Sequence, residues 1–146
     1  NFPFQFFIFI IYLQIIMGAF VSGLDAGMIY QSWPKMGISY FPNDLSIESF
    51  KNVLEFDNHS LVQFYHRSLA YFLTVYVILL SIFIYIKRLE NLYRPLKILF
   101  FFLFLQIVLG VYTLISELNI YLASLHQITS VLLVFSALNL YYFRSK

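Results

Sequence analysis

The sequence predicts an all-α integral membrane protein: a four-helix transmembrane bundle built from two repeated helical hairpins, with a long outer loop between the first and second helices. Three observations predict it. Of the 146 residues, 61% are hydrophobic and only 11% charged, whereas a soluble domain carries about 25% charged residues. The apolar residues fall in four long uncharged runs, 1–24, 68–86, 98–116 and 118–143, each meeting or nearly meeting the roughly 20 residues that a membrane span needs. The first and third runs also share a spaced pattern, described below.

The first run opens on Asn1 with no flanking charge. It lacks the basic start and small-residue cleavage site of a signal peptide. A start without Met, directly inside a span, reads as a piece of a longer membrane protein.

The stretch after it, 25–60, holds Asp25, Asp44, Glu48, Glu55 and Asp57 against Lys35 and Lys51. Trp33, Tyr30, Tyr40 and Phe41 suit a membrane interface. Pro34 and Pro42 break any long helix there. Residues 45–56 read as a short amphipathic helix with Ser46 as N-cap. A loop of this length inside a compact fold is commonly functional, and its aromatics suit a lid. Asn58-His59-Ser60 matches the weak three-residue glycosylation pattern, and His59 reads as a solvated or interfacial residue.

The second helix enters near Leu61 and leaves at a basic link, 87–97, with Lys87, Arg88, Arg94 and Lys97 against Glu90. The link between the third and fourth helices carries only Glu117, and the tail ends in Arg144 and Lys146. Basic loops stay on the cytoplasmic or matrix side. The 87–97 link and the C-terminus are therefore expected inside, and the 25–60 loop and Glu117 outside. The second and fourth helices then run in the same direction.

Leu13-Gln14-Ile15 aligns with Leu105-Gln106-Ile107, Gly18 with Gly110 and Asp25 with Glu117, all at one offset. His66 aligns with His126 at a shorter one. The hairpins read as copies, and repeats in membrane proteins often place a functional site at their interface.

His66 and His126 both fall roughly 8–13 Å below the outer boundary, counting 1.5 Å per residue. Ionisable residues inside a membrane are functional candidates; the bland alternative is an imidazole hydrogen-bonded to a neighbouring helix. The chain has no cysteine, which excludes disulfides, thiolate zinc, iron–sulfur clusters and covalently attached haem. No third histidine lies at matching depth, so zinc and copper fit poorly. Two facing imidazoles suit haem, whose iron takes axial ligands on opposite faces. Gly18 and Gly110, about 10 Å below the outer acids, leave room for a flat ring; glycine also marks plain close packing of membrane helices. Ala19, Ser22, Ala70 and Ser130 keep the same zone small. Arg67 beside His66 can pair with a haem propionate or with Asp25, Glu117 or a lipid phosphate. Gln63 and Gln127 can orient ligands or propionates, whereas Gln14 and Gln106 lie deeper and read as hydrogen-bonded bridges between helices.

"GAFVSGLDAGMIYQSWPKMG" at 18–37, "LVQFYHRSLAY" at 61–71, "LQIVLGVYTL" at 105–114 and "LASLHQ" at 122–127 together resemble the second half of heme A synthase, in its mitochondrial and alphaproteobacterial form. The resemblance covers nearly the whole chain with the motifs in order. It implies one four-helix haem-binding half-domain, 1–146, of an eight-helix enzyme. That enzyme oxidises the C8 methyl of heme O, its substrate, to the formyl of heme A for cytochrome oxidase assembly. It implies that His66 and His126 hold a haem b cofactor, while a first half, with a glutamate linked to catalysis, handles the substrate. No catalytic residue is assigned within this chain, and the chain alone is expected to be inactive.

The implied partners are the missing N-terminal half, the lipid bilayer, a second copy of the protein, and haem-pathway or oxidase-assembly proteins; no nucleic acid is expected. The implied location is a bacterial or mitochondrial inner membrane, with the long loop on the periplasmic or intermembrane-space side. Two rival readings stand beside it. One is a bis-histidine cytochrome acting only in electron transfer, which has no evident need of the "GLDAG" and "WPKMG" loop motifs; the other is an assembly subunit without a cofactor.

Overall fold

The computed structural model describes residues 1–45 and 52–145. Four helices dominate: α1 (Phe2–Gly23), α2 (His59–Ile86), α3 (Tyr93–Ile115) and α4 (Ile120–Ser145). All four are long and apolar enough to cross a membrane, and no strand is present among the described residues. Short 3₁₀ turns at Ala26–Met28, Asn52–Leu54 and Glu90–Leu92 punctuate the links. Half of the expected amphipathic helix at 45–56, the stretch 46–51 with Ser46, lies outside the described residues, and Asn52–Leu54 forms only a 3₁₀ turn.

α2 starts earlier than its apolar run suggests. Asn58 has extended backbone dihedrals and its side-chain oxygen accepts from the Leu61 amide at 3.1 Å. This caps the helix at its first turn and gives the asparagine of the Asn-His-Ser pattern a structural job. The polar residues Ser60 and Gln63 then sit inside the helix, both buried.

α1 packs on α2, α3 packs on α4, and α1 also meets α4. One apolar core joins them. It takes Phe7 and Ile10 from the first half of α1, Val77 and Ile84 from the second half of α2, Leu96 and Leu99 from the first half of α3, and Leu133 and Leu140 from the second half of α4. Early halves therefore meet late halves, and chain direction alternates through the bundle. Lipid is as apolar as leucine, so this core holds through close packing and dispersion rather than escape from water. Hydrogen bonds tie the same end together: Tyr76 donates to the Pro3 carbonyl at 2.8 Å and Asn91 to the Phe143 carbonyl at 2.9 Å.

The core fills only that end. Its last members are Ile11, Leu73, Leu103 and Leu133. The next turn toward the end bearing residues 24–58 brings Gln14, Gln106 and Thr129 instead. The two remaining turns at that end approach each other: a Cβ at Gly27 would lie 2.8 Å from Leu118 Cδ2. Asp25 and Glu117, the residues just past α1 and α3, both adopt left-handed backbone, at φ 51° and 55°.

Candidate functional site

The polar end of the bundle collects the candidate residues, and each histidine sits against the preceding helix of its own hairpin. A Cβ on Gly18 would lie 3.1 Å from His66 Cε1, and one on Gly110 would lie 3.0 Å from His126 Cε1. Both glycines thus keep space that an imidazole edge uses. One turn deeper, the Gln14 amide nitrogen donates to the His66 carbonyl at 3.1 Å, and the Gln106 amide nitrogen donates to the His126 carbonyl at 2.9 Å. Gln14 and Gln106 bridge helices, as their depth implies.

Arg67 is not paired with Asp25 or Glu117. Its Nη2 donates to the carbonyls of Pro34 at 2.8 Å and Lys35 at 3.2 Å, while its Nη1 is buried with no partner. Gln63, 2% exposed, donates to the carbonyls of Tyr30 at 2.9 Å and Gly27 at 3.4 Å, and its oxygen is left unpartnered. Gln127 lies on the exposed side of α4, and its side chain makes no hydrogen bond among the described residues. His59 is exposed in the first turn of α2.

Residues 25–44 are laced onto one stripe of α2, namely Ser60, Gln63 and Arg67, at the three- and four-residue spacing that shares a helix face. Asp44 is the latch at the outer end of the stripe. It accepts from the Tyr30 hydroxyl at 2.5 Å and from the Ser60 hydroxyl at 2.6 Å. Partial burial pushes its carboxyl up, but the hydrogen bonds from Ser60 and Tyr30 outweigh that and hold it below its ordinary value. Tyr30 is pushed above its ordinary value, first by burial and then by the Asp44 carboxylate. Nothing in the sequence pattern marks Asp44, Tyr30 and Ser60 as partners, because they meet only once the loop folds back.

The donor set narrows the chemistry. Among the described residues, no three of His, Cys, Asp or Glu come together. The polar end holds two histidines, with four side-chain atoms, Arg67 Nη1, His126 Nδ1, Gln14 Oε1 and Gln63 Oε1, buried without partners. Two glycines line the zone where the apolar core stops. This set fits haem, which needs two axial nitrogens, a flat space and cationic partners for its propionates.

The fold and donor set together describe an integral membrane helical bundle with a two-histidine site. Residues 3–138 match the family described as COX15-CtaA, cytochrome oxidase assembly protein. The chain is 47% identical over 131 residues to the heme A synthase of Pelagibacter ubique, covering 87% of this chain and 37% of that protein. It is 37% identical over 129 residues to heme A synthase of Wolbachia pipientis wMel, covering 88% and 35%. Against the Rickettsia felis heme A synthase the identity is 34% over 127 residues, covering 86% and 37%. No solved structure matches. The chain belongs to the COX15-CtaA family, as its motifs imply, and it spans little more than a third of the length of these curated relatives.

Proposed function

We propose that this chain is the haem b-binding half of a heme A synthase, with His66 and His126 as axial ligands of the haem iron. One observation carries the reading: Gln14, Gly18 and His66 in one hairpin and Gln106, Gly110 and His126 in the other build similar surroundings at the end where the apolar core stops. On this reading the hairpins are repeats and the residues 24–58 face the outer side of the membrane. The whole enzyme oxidises the C8 methyl of heme O to the formyl of heme A, and the bound haem supplies one-electron redox chemistry to that reaction.

The chain's own residues do the rest. His66 and His126 each offer a neutral ring nitrogen. Gly18 and Gly110 keep side chains out of the space beside those rings. Arg67 is anchored by its Nη2 to the loop backbone, and its free Nη1 would pair with a propionate. Gln127 lies beside His126 on the exposed side of α4, where a propionate or the companion half would meet it. The strap formed by residues 25–44 fixes Arg67 and Gln63 at the outer end of α2. The companion four-helix half supplies the substrate site, so this half alone forms no heme A.

The test is the visible spectrum of the full chain purified after expression with haem supply. A six-coordinate, low-spin spectrum is expected. His66→Ala and His126→Ala each lose it while inserting normally into membranes. Unchanged spectra in both variants would refute the ligand assignment, and the lack of any Soret band in the unmodified chain would end the haem reading.

A further inference from the structure

The strap is fastened to α2 at three levels, and the deepest lies at the edge of the hydrocarbon. α2 runs over 28 residues, His59–Ile86. That is about 42 Å of helix, about 12 Å more than the hydrocarbon of a bilayer needs. Lys87 and Arg88 follow Ile86 directly and keep that end at one boundary. About 20 residues back along the helix, the other boundary falls near Arg67. Asp44 accepts from Ser60 at the start of α2, the Tyr30 and Gly27 carbonyls accept from Gln63, and the Pro34 and Lys35 carbonyls accept from Arg67. Pro34 and Lys35 therefore lie within an arginine's reach of the lipid. The chain turns sharply just after them. The Met36 amide donates to the Ser39 carbonyl at 2.7 Å, the Gly37 amide donates to the Ser32 hydroxyl at 3.0 Å, and Gly37 takes φ 74°. In water such a turn favours Gly, Asn, Asp or Ser. Here Gly37 is followed by Ile38, which is 83% exposed, and the same segment exposes Tyr40 by 65% and Trp33 by 48%. Lys35 is the only charged residue in the stretch 26–43, and it too is exposed.

We propose that this turn is a lipid anchor: Trp33, Ile38 and Tyr40 seat in the interfacial layer of the membrane that the helices cross, and Lys35 meets a lipid phosphate. Tryptophan and tyrosine favour that layer because each joins an apolar body to a polar tip. Lysine lays its stem along apolar surface and reaches out to the headgroups. Acyl chains cover the isoleucine that nothing in the protein covers. With no acid between Asp25 and Asp44, nothing in the stretch repels the phosphates. The anchor and Arg67 form one unit, because the carbonyls that hold Arg67 Nη2 belong to Pro34 and Lys35 at the foot of the turn. No ligand of His66 or His126 is needed for it.

Trp33 is the only tryptophan in the chain, so its fluorescence reports on the turn without a label. The full chain is reconstituted in phosphatidylcholine vesicles whose acyl chains are brominated either near the headgroup or near the bilayer centre. Bromine near the headgroup is expected to quench Trp33 strongly and bromine near the centre weakly. Aqueous iodide is expected to quench it less than it quenches free tryptophan. Ile38→Asp removes the apolar seat and sets an acid among the phosphates. It is expected to shift the ratio of lifted to seated turns by about tenfold or more, read as bromine quenching lost and iodide quenching gained. Ile38 touches little of the protein, so the variant keeps its helical circular dichroism; should it fail to insert, the unmodified chain decides alone. Trp33 as open to iodide as free tryptophan, with no bromine quenching, overturns the anchor and leaves the turn as a contact face for another protein. Bromine quenching unchanged in inserted Ile38→Asp overturns it as well, since Trp33 then meets lipid without the seat.

Discussion

Alanine at Gly18 and at Gly110 separates a rigid histidine from a yielding one. The added Cβ would stand 3.1 Å from His66 Cε1 in the first case and 3.0 Å from His126 Cε1 in the second. Carbon atoms prefer about 3.5 Å or more, so each ring must retreat by about half an ångström. Two energies then compete. Alanine gains about 1 kcal/mol of helix propensity over glycine, and forced overpacking costs about 1–3 kcal/mol. His66 lies under the Gln14 amide and cannot retreat freely, so the cost falls at the upper end of the overpacking range and Gly18→Ala destabilises by up to about 2 kcal/mol net. His126 has no hydrogen bond to its ring, so it swings away and Gly110→Ala comes out near zero. Gly23 is the control, because nothing lies within 4 Å of its Cβ position. The assay is unfolding of the detergent-purified chain in a denaturing detergent, followed by helical circular dichroism. A Gly110→Ala loss as large as that of Gly18→Ala would refute the reasoning.

Gly110→Leu should abolish haem loading by filling the space beside His126, read as haem per chain; full occupancy would leave Gly110 a helix-packing residue only. Asn58→Ala should cost about 1 kcal/mol through loss of the α2 cap, read in the same unfolding assay. Arg67→Ala should free the loop carbonyls of Pro34 and Lys35, raising amide exchange across residues 35–37 and lowering haem content; exchange at the unmodified rate would place the strap's hold elsewhere. The strap should also be pH-dependent at its two ends. The Asp44 carboxyl sits below its ordinary 3.8 in the folded chain, so its contribution is complete above that value and fades as pH falls further. Tyr30 sits above its ordinary 10.0, so its contribution is complete below that value and is lost at higher pH. Proteolysis of residues 25–44 should thus stay flat between these limits and accelerate beyond them.

The helices were legible because lipid demands long apolar runs, and nothing else in a chain produces four of them. Their ends were not. The second run breaks at Arg67, yet α2 continues back to His59, because Ser60, Gln63 and Arg67 find partners in the folded loop and so cost little inside a helix. The candidate site was legible as a pattern of types: Gln, Gly and His at matched depths. Its contacts were not, since a pattern along one helix does not say which neighbour it meets. The glycines illustrate this. Sequence alone offers a haem ring or a packed helix as the reason for Gly18 and Gly110, and the structure sets an imidazole edge against each. The latch of Asp44, Ser60 and Tyr30 left no sequence signal, because three ordinary polar residues acquire meaning only through the path of the loop.

The division of the bundle explains why the polar residues can be tolerated at all. A membrane helix bearing glutamine and histidine gains nothing by turning them to lipid, so each must bond to protein. Gln14 and Gln106 do so by donating across to the histidine carbonyls. These bonds link α1 to α2 and α3 to α4 at the end where the leucine and phenylalanine packing stops. The apolar end holds all four helices together, while the hydrogen bonds of Gln14 and Gln106 at the polar end stay within each hairpin. At that end Gly27 packs against Leu118 across the hairpins. On the two-histidine reading, a group bonding His66 and His126 at once would add a link between the hairpins at that end.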